Sequence, residues 1–349
     1  MNRRKIPMSR RSNLLALLFL LLSHAYFGSR RETPFGIDAV SAVTPGRVSV
    51  VGAVAAADTA LTAAQVEEMV RRAVYLSGGM HKAIDPGARW IVVRVADARA
   101  EGVDSATTSA ADTFLAAVRA VVGLLHQAAG EARISLAAGD TPAAVAGPGS
   151  GERGESEREG VVGKTALEKL AADLLGTGIE VGLLDLATEE SERVEVPDGG
   201  EAAAEYAVPI AILECDNIVN VAPHSRRSAS GLANLVGLAT NDEAAADGMA
   251  QLVDLALLAE VDYTLLALLG AGAESASRPR LNAILAGHDP IAVDRISLEM
   301  TSADTSYLAA LRLASRRRLG TVDLQWIKVN GPEVPGTWRD SGPDSTADQ

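Results

Sequence analysis

Short apolar runs rich in β-branched residues alternate along this chain with longer segments whose apolar positions recur every three or four residues. No other feature restricts the fold as much. Strands are expected at 47–54, 89–95, 132–138, 179–186, 207–213, 217–222, 262–268, 282–287 and 322–329. Between them lie expected helices from Thr62 to Gly78, from Ser109 to Gly130, and over 164–176, 229–239, 248–259, 290–300 and 304–317. Strands that alternate with helices call for an α/β fold, a mostly parallel sheet with helices on both faces in Rossmann-like layers.

Local chemistry supports several of these boundaries. Thr62-Ala-Ala-Gln65 has capping-box spacing, Val66, Met69, Val70, Ala73 and Val74 form one helical stripe, and Gly78-Gly79 ends it. Ser109 is a candidate cap for the next helix, and Asp85-Pro86-Gly87 is turn chemistry before a strand. Residues 141–163 combine Pro, Gly, Ser and charges without an apolar face, which reads as a flexible insertion. The expected organisation is a signal at 1–25, a linker at 26–47, one α/β domain at 48–331 and a disordered tail at 332–349.

The first residues carry Arg3, Arg4, Lys5, Arg10 and Arg11, then the run LLALLFLLL from Leu14 to Leu22, then Ser23-His24-Ala25. A basic head, a short apolar core and small residues at a cleavage point are the parts of a secretory signal. The core falls short of the roughly 20 residues that span a bilayer. Ser9-Arg10-Arg11-Ser12-Asn13-Leu14 resembles a twin-arginine signal, although Asn13 stands where an aromatic residue is usual, so the twin-arginine and general secretory routes both stay open. The expectation is an exported protein, periplasmic or extracellular, with an uncleaved N-terminal anchor as the alternative.

Cleavage after Ala25 removes five positive charges and no acid, taking the formal charge from −13 to −18. Such a surface repels nucleic acid and anionic membranes, so neither is an expected partner, and no stable membrane span is expected after cleavage. The single cysteine, Cys215, cannot build an internal disulfide, a four-thiolate zinc site or an iron–sulfur cluster, and its apolar neighbours suit a small core residue. No cofactor or metal is expected.

Phosphate- and dinucleotide-binding motifs fail on inspection. Gly163-Lys164-Thr165 ends like a P-loop, but Arg158 stands where its first glycine belongs. Gly270-Ala-Gly272 follows a strand, but Ser275 replaces the third glycine. His81, His224 and His288 are left as polar candidates. The run from Asp216 is more informative, because it leaves a strand through His224, Arg226 and Arg227 and enters a helix bearing Asn234. In an open parallel sheet ligands sit beyond the carboxyl ends of strands, and two arginines there can grip a carboxylate or phosphate. Asp289 precedes Pro290 and suits a helix cap. Asp294 is about 140° further around that helix, so the two carboxylates do not share a face. It lies among aliphatic residues, where a charge needs a partner.

The order of these pieces resembles the bacterial and archaeal domain-of-unknown-function family numbered 362, whose members often carry a twin-arginine signal. The resemblance spans residues 48–331. It rests on VRRAVYLSGGMHKAIDPGARWI (70–91), the loop Gly102–Thr108, the stretch Cys215–Gly237 and above all ILAGHDPIAVD (284–294). The chain departs from the family where lysines are usual. Arg94-Val95-Ala96 replaces Lys-Pro-Asn, Ser225-Arg226-Arg227 replaces Lys-Thr-His, and Ala233-Asn234 replaces Lys-Asn. Arginine keeps the charge but not the compact ammonium or a tunable proton. Some relatives carry ferredoxin-type cysteine clusters, which this chain lacks.

The resemblance and the residues together give a candidate ligand site of Arg94, Thr107, Thr108, Arg226, Arg227, Asn234, His288, Asp289 and Asp294, for a small anionic molecule. Asp289 and Asp294 are expected to cap and orient their surroundings, with a hard cation as the lesser alternative, and the family-like arrangement makes the arginines of the 224–227 loop the nearest partners for Asp294. Catalytic residues and reaction are left open. The alternative is a noncatalytic extracytoplasmic binding or interaction protein that keeps the fold without the family's site.

Overall fold

The computed structural model describes residues 48–56, 60–95, 108–138, 164–224, 230–239, 248–271, 281–301 and 307–331. All lie within one unit, Val43–Gln349. The expected signal, linker, insertion and tail are outside the described residues.

The apolar runs form strands β1 (Ser49–Ala56), β2 (Trp90–Val95), β3 (Arg133–Ala138), β4 (Val181–Asp185), β7 (Asn217–Pro223), β8 (Tyr263–Ala271), β9 (Leu281–Gly287) and β10 (Ile327–Asn330), joined in one sheet in the order β10, β1, β9, β8, β7, β2, β3, β4. Every neighbouring pair is parallel except the two made by β9, which is antiparallel to both β8 and β1. A separate antiparallel pair joins β5 (Ser191–Glu195) to β6 (Glu205–Pro209). The helices are α1 (Ala63–Leu76), α2 (Thr108–Ala128), α3 (Lys164–Leu175), α4 (Ile210–Glu214), α5 (Ser230–Ala233), α6 (Gly248–Ala259), α7 (Pro290–Thr301) and α8 (Tyr307–Arg316). The α/β class with helices on both faces of a mostly parallel sheet is therefore as the sequence indicates.

Alternation along each strand divides the core into two layers. On the first face Val93, Val219, Leu265 and Ile284 pack with Val70 of α1, Val118 and Leu125 of α2 and Leu170 of α3. On the second face Val51, Ala222, Leu266 and Leu285 pack with Ala292, Val293 and Ile296 of α7. The α1 cap forms as its spacing predicts, Thr62 Oγ1 accepting from the Gln65 N–H at 3.3 Å and Gln65 Oε1 from the Thr62 N–H at 2.9 Å. Gly52 gives α1 its close approach to the sheet, because a Cβ there would lie 1.9 Å from the Ala73 carbonyl oxygen.

Five local expectations change. The strand expected at 322–329 begins only at Ile327, after a 3-10 turn at Leu324–Trp326. Helix α2 already includes Thr108, so Ser109 lies inside its first turn and does not cap it. The strand expected at 207–213 stops at Pro209, and Ile210–Glu214 turn into α4. Strand β5 was hidden by its polar sequence SERVE, in which Val194 alone is buried. The helix expected over 229–239 closes at Ala233 and continues as turns to Gly237, whose φ is 89°.

The chain returns from β4 at the sheet edge to β7 through the β5–β6 hairpin and α4 instead of one long helix. Asp254 of α6 anchors that crossover. Its carboxylate accepts from the N–H groups of Glu201 (2.6 Å), Ala202 (2.8 Å) and Ala203 (3.1 Å) and from the Tyr206 hydroxyl (3.0 Å). Arg317 adds bonds to the carbonyls of Pro197 (2.6 Å) and Gly199 (2.8 Å). Among the described residues no helix is long and apolar enough to cross a membrane.

Removing the Asp254 carboxylate strands three part-buried backbone donors and a buried phenol. Asp254→Ala is expected to cost roughly 3 kcal/mol or more, read as a lower urea midpoint. An unchanged midpoint would show that the anchor is dispensable.

Candidate functional site

Strand order sets a topological switch point between β2 and β7. After β2 the chain builds β3 and β4 on one side, and β7 later returns to β2's other side. The connection after β2 leads to α2 on the first face, whereas the one after β7 leads to α5 on the second. Adjacent strands whose connections part to opposite faces form a topological switch point, where open α/β sheets bind ligands.

A polar row crosses the second face beside this point. Arg94 of β2, Asn220 of β7 and Thr264 of β8 are direct partners in register, and all are fully buried. Above the row lies α5. Asn220 Nδ2 donates to the Gly231 carbonyl at 2.8 Å. Arg94 donates through Nε to the Asn234 carbonyl at 2.9 Å and through Nη2 to the Val236 carbonyl at 2.8 Å. The side chain of Asn234 crosses the seam between the two strands, its Nδ2 donating to Asn220 Oδ1 (2.5 Å), the Val221 carbonyl (3.2 Å) and the Arg94 carbonyl (3.4 Å).

The other end of α5 is met by Asp294, which is 0% exposed. Its Oδ1 accepts from the Gly231 N–H at 2.8 Å, and its Oδ2 from the Leu232 N–H at 2.9 Å and the Tyr307 hydroxyl at 3.0 Å. A Cβ on residue 231 would lie 2.6 Å from Asp294 Oδ1, so the approach requires glycine. Among the described residues these donors, not a guanidinium, are the partners of the buried carboxylate. A short helix thus has an anion at its N-terminal donors and a cation at its C-terminal carbonyls, the arrangement its dipole favours.

Asp289 caps α7 as its place before Pro290 predicts, Oδ1 accepting from the Ala292 N–H at 2.9 Å. Its Oδ2 also accepts from Ser49 Oγ at 2.6 Å and the Thr321 N–H at 2.9 Å. Burial pushes both carboxyls above the ordinary aspartate range, against the pull of these hydrogen bonds. For Asp294 the value is about 6, with the charge of Asp289 adding to the rise.

The structure divides the predicted residues. Arg94, Asn234 and Asp294 come together around α5, with Arg94 and Asn234 at the switch point. His288 and Asp289 do not join them: Gly287 ends the register row that carries Arg94, Asn220 and Thr264, so they follow a position level with Arg94 but displaced across the strands. The His288 ring meets Tyr263 edge-on at 5.1 Å on the first face. Arg94 is three strands away, roughly 14 Å at the usual strand spacing, and on the opposite face. Thr108 is the first residue of α2, while Thr107, Arg226 and Arg227 lie outside the described residues. His224 follows β7, its N–H bonded to the Ala267 carbonyl at 2.8 Å, and His81 is exposed in a 3-10 turn.

Sequence reasoning missed Asn220, Gly231 and Tyr307. An asparagine inside the apolar run NIVNVAP was a usable signal, but nothing near Tyr307 marked it. Among the described residues no three His, Cys, Asp or Glu side chains gather as metal ligands do. The oxygens of Asp289 and Asp294 face N–H and O–H donors instead of an open cation position.

The raised carboxyl of Asp294 has a signed consequence. Its folded value lies above the unfolded one of 3.8, so its contribution to stability is complete below that pH and is lost as pH rises through about 6. Asp294→Asn removes the titration. The variant is expected to melt below the parent by a gap that widens as pH falls from 7 to 5, measured by thermal unfolding. A gap independent of pH would contradict the assignment.

In structure the chain is similar to the lactate racemase apoprotein from Thermoanaerobacterium thermosaccharolyticum, at 13% sequence identity and a TM-score of 0.40, covering 64% of this chain and 52% of that one. This chain thus spans about half the length of that protein. No curated protein matches it in sequence. A family model described as Domain of unknown function (DUF362) matches residues 99–299, more than half of the chain. That span runs from the connection after β2 through α5 to the helix bearing Asp294, and the chain belongs to the Domain of unknown function (DUF362) family.

Proposed function

We propose that this family member is an exported protein that binds a small anion at the crevice between the carboxyl ends of β2 and β7. The observation that carries the reading is the switch point itself, where connections from adjacent parallel strands part to opposite faces. Those connections contain Thr107 and, after β7, Arg226 and Arg227. Arginine forks suit a carboxylate or phosphate, and the hydroxyls of Thr107 and Thr108 suit its remaining oxygens.

Arg94 has a different part in this reading. Its donors to the carbonyls of Asn234 and Val236 fix the floor of the crevice. Asp294 fixes the same floor from the other end of α5. The anion contacts fall to Arg226 and Arg227, with no nucleic acid or membrane as partner on an acidic chain of net charge −13.

A noncatalytic binding protein is the second reading, favoured by Ser225 and Ala233 standing where the family has lysine. Loss of a tunable amine removes a proton carrier without removing the means to hold an anion. Binding and turnover therefore separate the two readings.

The test uses inorganic phosphate and acetate as probes, with affinity read by calorimetry. Arg226→Ala combined with Arg227→Ala is expected to weaken binding at least tenfold, about 1.4 kcal/mol, with little change in melting temperature. Equal affinity in parent and variant would overturn the anion site. For export, an N-terminal sequence beginning after Ala25 in protein recovered outside the cytoplasm is expected, and an intact N-terminus in cytoplasmic protein would contradict it.

A further inference from the structure

The helices of the first face carry a cavity on their outer side. It measures about 490 Å³ and is lined by α1, α2, the end of α3 and the turn that follows α3. Cavities that hold small molecules run from roughly 300 to 1,000 Å³. Arg119 of α2 reaches Glu67 of α1 on one side and Asp173 of α3 on the other, so α2 forms the floor between two walls. Arg71 and Asp173 on those walls each keep 49% of their side-chain surface exposed, which leaves the groove open to solvent.

The lining is electrically balanced and short of hydrogen bonds. Its charged residues are Arg71 and Arg119 against Glu67 and Asp173, a net charge of zero. Arg119 Nη1 lies 4.0 Å from Glu67, and Arg71 Nη1 lies 3.9 Å from the same carboxylate. Both gaps exceed hydrogen-bond reach, so among the described residues Glu67 accepts no hydrogen bond. Each guanidinium makes a single one there, Arg71 to Glu68 and Arg119 to Asp173, both at 3.1 Å. Thr177 Oγ1 donates to the Leu174 carbonyl at 2.7 Å and keeps its lone pairs, and Gln127 supplies an amide with a donor and an acceptor.

The floor is bare where α2 passes through it. Gly123 stands inside that helix, where glycine is a poor choice. A Cβ there would meet nothing within 4 Å, so no close approach requires the glycine. Leu124, Leu174 and Ile179 add apolar surface beside it.

We propose that this groove binds a neutral sugar, with hydroxyls bridging the charged groups of the rim and a C–H face resting on Gly123 and Leu124. A hydroxyl both donates and accepts, and gaps of 3.9 and 4.0 Å let one oxygen reach Glu67 and a guanidinium together. A simple anion would meet Glu67 and Asp173, and a simple cation would meet Arg71 and Arg119, so neither gains a net attraction. The groove lies outside the first-face helices, whereas Arg94 and Asn220 belong to the second face. It is therefore independent of the anion reading above.

The probes are glucose, galactose and maltose, with acetate and methylammonium as charged controls, each titrated into the full chain and followed by saturation-transfer NMR. At least one sugar is expected to bind roughly tenfold more tightly than either control. Gly123→Leu places a side chain in the open floor and exchanges glycine for a good helix former. It is expected to abolish sugar binding while the melting temperature holds or rises. Glu67→Ala, which removes the acceptor alone, is expected to weaken binding roughly tenfold. Failure of all three sugars to bind would overturn the inference, as would a control that binds as tightly as the best sugar. Sugar binding unchanged in Gly123→Leu, or in Glu67→Ala should the first variant not fold, would put the sugar elsewhere and overturn it too.

Discussion

Two buried charges of opposite sign hold one helical turn between them. Asp294 takes the N–H groups of Gly231 and Leu232, and Arg94 takes the carbonyls of Asn234 and Val236. A four-residue helix has too few internal bonds to stand alone. Its unsatisfied ends would be expensive inside a protein, and here each end is satisfied by an ion that is itself desolvated. The charges are brought from distant places, Arg94 from β2 and Asp294 from α7. Position and charge of α5 thus depend on the whole sheet being assembled, and with them the placement of Asn234 over the strand ends.

The same device recurs at lower cost elsewhere. Asp254 gathers the N–H groups of three successive residues at the hairpin connection, Asp289 caps α7 while receiving Ser49 and Thr321, and Asp216 Oδ2 accepts from the N–H groups of Arg89 and Trp90 at 2.8 and 2.9 Å. Carboxylates suit this work because each oxygen accepts more than one bond and backbone donors cluster where strands and helices begin. Several of the chain's acids are thus internal staples, and an acidic composition overstates how much of the negative charge faces a partner.

Periodicity made most of the layers legible in the sequence, since strands buried on both faces and helices with one apolar stripe leave different patterns. What it could not convey was direction. ILAGHDPIAVD reads as strand, turn and helix with either orientation of β9, and only the sheet reveals that β9 is reversed and that His288 lies three strands from Arg94 on the opposite face. Asp289 was legible because capping is local, decided by Pro290 and three residues of chain. Asp294 was legible as a problem, a charge among aliphatics, but not in its solution. Its partners are backbone groups some sixty residues earlier, separated by 62 and 63 positions, and a tyrosine thirteen residues later. Backbone donors have no residue letter, so no pattern of side chains could have named them.

The reversed strand also orders events in time. Strand β1 is the first strand described and has β9 and β10 as its only sheet neighbours among the described residues, and the Ser49–Asp289 bond joins positions 240 residues apart. As the chain emerges from a ribosome, β2, β3 and β4 can pair with one another early, but β1 has no strand beside it until residues past 281 exist. Loop closure of that span is slow relative to local pairing. The half of the sheet that starts the sequence is therefore the half completed last, and an interrupted chain displays β1 with both edges bare.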